Sequence, residues 1–288
     1  MDVDKRSVTE YQSAADYLKH FYEISDALPE LPLADEPFIS TWTRSASGVE
    51  PRGREALDFL VDGLGLPIDD FRWNNVDALQ LGFIQTLAGR LPLITTASHT
   101  DFRSMEALVN GRGEALALPA TVNAFTIQAR AMQIRRHRLI LLNRAPYSNI
   151  PANALGFAED EWLARSQRLR LRHECAHYET LRLFGGMANH ALDEIAADAL
   201  GQLAAFGNFD ADRQRLFFGL ERGRGVCHGR LSFYCQTVCP EERETVYRSV
   251  DRLLDDTAAE LGRLIRLGAT ELELLKFLVG TSILERLD

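Results

Sequence analysis

His173-Glu174-Cys175-Ala176-His177 sets two histidines four residues apart, with a glutamate directly after the first. On a helix, side chains at i and i+4 stand above one another, so two such imidazoles can grip a single metal ion. Glu174 is turned aside from that pair, near enough to act on a metal-activated water without being a ligand itself. Trp162, Leu169, His173, His177, Leu181 and Phe184 recur at helical spacing on one face. Both histidines therefore fall on the buried seam of the helix, where a polar ring needs a partner. A catalytic zinc takes three protein ligands and keeps an open position, whereas a structural one takes four. "ALDEIAADALG" offers the third, since it holds Glu194 and Asp198, again i and i+4. Glu194 can complete a two-histidine, one-carboxylate set. Asp198 can accept a hydrogen bond from the far nitrogen of a ligand histidine, His173 being the first choice, and so fix its tautomer and orientation.

Two adjacent helices must carry these residues. The acidic start at Glu159 to Glu161 suits the positive end of a helix dipole, and Gly185-Gly186 supply a stop. "NHALDEIAADALGQLAAF" predicts the second helix after a tight connection, with His190 in a capping or packing role near its start. Val246, Val250, Leu253, Thr257, Leu261 and Leu264 form one stripe of a further core-facing helix, and "ELELLKFLVGTSILERL" closes the chain. Upstream the texture changes. Residues 1–158 are broken by Pro, Gly and Asn, with amphipathic helices expected in "YQSAADYLKHFYEISDAL" and "SGVEPRGREALDFLVDGLG". Thr121–Arg130 and His137–Asn143 read as strands. The expected fold is α+β: a mixed α/β N-terminal lobe (1–158) with a small sheet, followed by a mainly helical lobe (159–288) that bears the metal site on two adjacent helices.

H-E-x-x-H followed on a later helix by E-x-x-x-D resembles the gluzincin metallopeptidases, the thermolysin-like clan. The resemblance implies Zn2+ held by His173, His177 and Glu194, with Glu174 as general base and Asp198 supporting the ligands from behind. "VNAF" at Val122–Phe125 is similar to the Asn-Ala-Phe segment on the substrate-binding edge strand of several gluzincins. That likeness implies substrate contacts at Asn123, Ala124 and Phe125 on an edge strand within 121–130. The longer string "LILLNRAPYS…EDEW…HECAHY…GGMANHALDEIAAD" also resembles an uncharacterised bacterial metallopeptidase-like family, which implies no substrate. One departure is that only 16 residues separate His177 from Glu194, short for the clan, which leaves Asp193 as a rival third ligand.

The implied activity is hydrolysis of a peptide or small amide bond by a zinc-activated water, with Glu174 moving the proton. The oxyanion needs a further donor. "GVCHGRLSFYC" supplies two, His228 as first choice and Tyr234 as second. A two-histidine, one-carboxylate set also suits non-haem iron and redox chemistry, although a base at position 174 favours water activation. A third reading is a catalytically silent binding protein on a gluzincin-like fold. Cys227, His228, Cys235 and Cys239 lack the tight C-x2-C pair of common zinc folds, so free thiols are expected. The basic run Arg130–Arg138 reads as a solvated strand or turn. The loop Ala145–Phe157 bridges strand and active-site helix, as a plain connection or as a lining of the cleft. A net charge of −9 argues against nucleic acid and anionic membranes as partners. No long apolar run suggests a membrane span, and the charged N-terminus lacks a signal-peptide core, so a cytoplasmic location is expected.

Overall fold

The computed structural model describes residues 11–25, 30–43, 50–67 and 71–288. In chain order its helices are α1 (Ala14–Leu18), α2 (Ile39–Trp42), α3 (Gly53–Asp58, running on into a π-helical turn), α4 (His99–Val109), α5 (Glu159–Phe184), α6 (Ala191–Phe206), α7 (Ala211–Phe218), α8 (Leu231–Tyr234), α9 (Arg243–Arg266), α10 (Glu271–Val279) and α11 (Ile283–Leu287). The strands are β1 (Gln80–Thr86), β2 (Gly89–Thr96), β3 (Ala124–Gln128) and β4 (Arg138–Asn143), with a two-residue pair β5 (Leu220–Glu221) and β6 (Val226–Cys227). The architecture is α+β, as the texture of the sequence suggests. No helix among the described residues is long and apolar enough to cross a membrane.

The chain divides into two units, one of Pro29–Cys175 and one of Met1–Leu28 with Ala176–Asp288. The change of texture near residue 158 marks where secondary structure changes, whereas the units are defined by packing. The dividing line therefore falls inside α5, which is one unbroken helix, and the N-terminal segment belongs with the C-terminal half.

In the unit Pro29–Cys175 the sheet order is β1-β2-β4-β3. β1 and β2 form an antiparallel hairpin, β2 and β4 run parallel, and β3 returns antiparallel on β4 as an edge strand. The sequence pattern does not predict the β1–β2 hairpin. Pro92 disguises it, because proline reads against a central strand. It is tolerated because the ladder to β4 begins one residue later, at Leu93↔Ile140. Leu81, Ile94, Leu139 and Leu141 form one core with Phe102, Met105 and Leu108 of α4 and with Leu57 and Leu60. On the other face of β4, Ile140 and Leu142 are equally buried, so the strand carries no polar alternation. Ser98 caps α4 by accepting from the Asp101 N–H.

In the second unit α6 is the central rod, buried along nearly its whole length. Leu192, Ile195 and Leu200 pack in one cluster with Val246, Val250, Leu253 and Leu261 of α9 and with Leu274, Leu275 and Leu278 of α10. α9 thus buries the stripe its sequence predicts. α10 and α11 both begin with reciprocal capping boxes, Thr270 with Glu273 and Ser282 with Glu285. The long helix expected from Tyr11 onward is corrected to the single short α1. After it the chain leaves the helix, with the Tyr22 N–H donating to the Val279 carbonyl at 2.9 Å. A tertiary backbone bond replaces the next helical turn, and the end of that predicted helix lies outside the described residues.

Candidate functional site

α5 is the helix predicted, starting at Glu159 and ending before Gly185, whose φ of +79° is the left-handed stop that glycine allows. His173, Glu174 and His177 are all buried on it. α6 brings Glu194 to them: one ligand atom from each of His173, His177 and Glu194 lies within 4.8 Å of the others. His177 Nε2 and Glu194 Oε1 are 3.4 Å apart. That is long for a charge-assisted hydrogen bond, which sits at about 2.7–2.9 Å. It matches two ligands of one tetrahedral ion, which at metal distances of about 2.0–2.2 Å stand roughly 3.3–3.6 Å apart. The three residues are a donor set that could hold a metal ion.

The residues that orient this group come from elements the motif does not contain. Tyr147, in the loop after β4, places its hydroxyl oxygen 3.2 Å from His173 Nδ1. A proton on Nδ1, shared with that oxygen, leaves Nε2 as the lone-pair atom. The loop is pinned to α5. Arg170 donates to the carbonyls of Ala145 and Pro146, the Ser166 hydroxyl accepts from the Tyr147 N–H, and the Trp162 indole donates to the Ile150 carbonyl. The loop expected as connection or cleft lining is thus a fixed platform for one side chain.

On the other side, the Thr126 hydroxyl of β3 lies 2.8 Å from Glu174 Oε2 and 2.8 Å from the Glu174 carbonyl. Alternation along β3 explains the choice: Phe125 points the opposite way and stacks on Phe102 of α4, centroids 5.6 Å apart. Of the three residues suggested for substrate contact, only Ala124 shares the Thr126 face. Phe125 packs into the core. Asn123 is buried, its side chain donating to the Ala120 carbonyl and accepting from Asn143.

Asp198 is fully buried one turn beyond Glu194 and accepts from the Gln214 amide at 2.5 Å. It also pairs with Arg230, whose other terminal nitrogen stands 3.8 Å from Glu194 Oε2. Asp198 was expected to orient His173; the partner found at His173 Nδ1 is Tyr147, and Asp198 anchors a guanidinium beside Glu194. Arg230 was not foreseen. It follows a close backbone contact in which a Cβ on Gly219 would fall 2.5 Å from the Gly229 nitrogen, so only glycine lets that turn close.

Tyr234 stands beside Glu194. The residue is half-buried as a whole, but burial of its hydroxyl, and then the neighbouring Glu194 charge, hold that hydroxyl protonated far above the ordinary phenol range. It is a donor at the site. His228, the first choice for that task, is not: its side chain is 73% exposed and its Nε2 lies 3.0 Å from Glu221 Oε1 on the β5–β6 pair. A surface ion partner, not the metal group, occupies it.

Asp193 also turns elsewhere. Its Oδ1 accepts from the Tyr22 hydroxyl at 2.5 Å and the Ala188 N–H at 3.1 Å, and its Oδ2 lies 3.5 Å from His20 Nε2. Asp193, His20 and His190 form a second group of close ligand atoms. His190, however, accepts from the Leu192 N–H with Nδ1, and its Nε2 is 3.0 Å from the Tyr17 carbonyl. One lone pair and one proton are both in use, and burial holds the ring neutral by pushing its pKa well below the usual histidine range. His190 is the N-cap of α6, which leaves only two ligands where a catalytic ion takes three. The four cysteines are free.

A family model described as "Family of unknown function (DUF7005)" matches residues 129–275, just over half of the chain. The match spans α5 and α6, Tyr147, Arg230 and Tyr234, and begins just after β3. No curated protein and no solved structure matches.

Proposed function

The chain belongs to the family of unknown function DUF7005, and membership carries no activity with it; from the site itself we propose a zinc-dependent metallohydrolase of gluzincin type that cleaves a peptide or small amide bond. The observation that carries this reading is the buried His173–His177–Glu194 group, with Glu174 tethered beside it by Thr126. Zinc, when bound there, supplies a Lewis acid that polarises a carbonyl and makes water a stronger acid. Glu174 takes the proton from the attacking water and passes it to the leaving nitrogen. Thr126 engages Oε2 of that carboxylate, so Oε1 is the oxygen assigned to the proton. Tyr234, a neutral donor, and Arg230, a fixed cation, replace His228 as the groups that meet negative charge growing on the substrate oxygen. An extended peptide suits β3, which has β4 on one side and no second strand neighbour among the described residues.

The test is cleavage of peptide and acyl-amide libraries by the zinc-loaded protein, with Glu174→Gln alongside. Loss of the base is expected to lower turnover by about 10²–10⁴-fold while zinc stays bound. Equal turnover by the variant, or no cleavage of any library member, counts against hydrolysis.

A further inference from the structure

The first turn of α6, which carries Glu194, is held by a residue from the far end of the chain. The Tyr17 hydroxyl accepts from the Ala191 N–H at 2.8 Å, an amide that a helix start leaves without an internal partner. The same hydroxyl reaches the Tyr234 carbonyl at 3.3 Å. The Tyr17 ring stacks on His190, centroids 3.9 Å apart, and the Tyr17 carbonyl lies 3.0 Å from His190 Nε2. His190 in turn accepts from the Leu192 N–H, and its carbonyl accepts from the Glu194 N–H at 3.2 Å. These contacts form one cluster, in which Tyr17 bonds the Tyr234 carbonyl and is joined through Ala191 and His190 to the first turn of α6. Tyr17 is fully buried within it.

We propose that Tyr17 is a positioning residue for the metal group, fixing the Glu194 main chain and the Tyr234 backbone against each other, so that metal affinity depends on residues 11–24. This rests on the reading of His173, His177 and Glu194 as ligands. The segment is otherwise tied down at both ends, by the Ala14 N–H on Glu242 and by the Tyr22 hydroxyl on Asp193. Tyr17→Phe therefore keeps the ring, its stacking and the strap, and removes only the hydroxyl. Groups that orient ligands in this indirect way typically change metal affinity about 10- to 100-fold. Coupling is reciprocal, so zinc must also steady the strap.

The experiment is zinc affinity by competition with a chelating dye for the unaltered protein and Tyr17→Phe, with urea midpoints of the metal-free forms measured alongside. The expected result is a fall in zinc affinity of about 10-fold or more in a folded variant. Unchanged affinity in a folded variant overturns the proposal and leaves the ligand reading standing. No zinc binding by the unaltered protein overturns both. Should Tyr17→Phe not fold, amide hydrogen exchange on the unaltered protein decides: zinc is expected to raise protection at 11–24 as well as at 191–194, and unchanged protection at 11–24 overturns the coupling.

Discussion

Asp198→Ala is the change whose consequence the structure specifies most fully. Asp198 is fully buried, and it holds the amide of Gln214, also fully buried, and the guanidinium of Arg230. Truncation strands the Gln214 amide, a loss of about 1–3 kcal/mol for an unsatisfied buried donor. It also strips Arg230 of its nearest carboxylate. Breaking a fully buried pair costs about 3–5 kcal/mol. Arg230 is 22% exposed, however, so water can take over and roughly 1 kcal/mol is the appropriate share. The total is about 2–4 kcal/mol. Asp198→Asn keeps the shape and one acceptor for Gln214, so it is expected to lose only about 1 kcal/mol. The assay is urea denaturation of the metal-free protein with linear extrapolation, which keeps metal binding out of the comparison. A loss below about 1 kcal/mol for Asp198→Ala, or equal losses for the two variants, refutes the view that Asp198 is the anchor of Arg230 and Gln214.

Four further outcomes follow. Tyr147→Phe is expected to keep the fold and lower zinc affinity about 10-fold, read by chelator competition; no change means that the hydroxyl does not orient His173. Thr126→Val, nearly isosteric, is expected to retain zinc and lose about 10-fold or more in turnover on any substrate the libraries yield, and full turnover removes Thr126 from the account. His228→Ala is expected to change stability by no more than about 0.5 kcal/mol and zinc affinity not at all; a large loss of either contradicts its placement on the surface. His190, held neutral by burial, gives a signed pH effect. Below about pH 6.5 the unfolded chain binds a proton that the folded ring refuses, so this group makes stability fall with acidification, by up to about 1.4 kcal/mol per pH unit, and leaves it flat above. His190→Asn, which can still cap α6, is expected to flatten the slope between about pH 7 and pH 5; an unchanged slope places the titration elsewhere.

The grouping of His173, His177 and Glu194 is legible in the sequence because helical geometry turns spacing into position. His173 and His177 at i and i+4, the acidic start at Glu159 and the stop at Gly185 place α5 with little freedom. Glu194 and Asp198 follow the same logic on α6. The partners of those residues are less legible, since each arrives from a distant element. Nothing local in "APYSN" says that Tyr147 reaches His173, and the reach depends on Arg170, Ser166 and Trp162 pinning the loop. Thr126 could have been found from β3 alternation, since one residue after Phe125 must face the other way. Arg230 depends on the Gly219–Gly229 contact, and His228, two residues earlier, points to solvent from the same hairpin. Choosing between neighbours in such a turn needs coordinates. Helix length at the N-terminus fails for a related reason: Tyr17 and Tyr22 spend their polar groups on α6, Asp193 and Val279, and that competition outweighs local helical pattern.

In the proposed function His173, His177 and Glu194 hold one zinc ion, which calls for the metal content of the purified protein by mass spectrometry, beside Glu194→Ala and His177→Ala. One zinc per chain is expected, lost or sharply reduced in each variant while His228→Ala retains it. No zinc after reconstitution of the unaltered protein, or a full complement in Glu194→Ala, would contradict it.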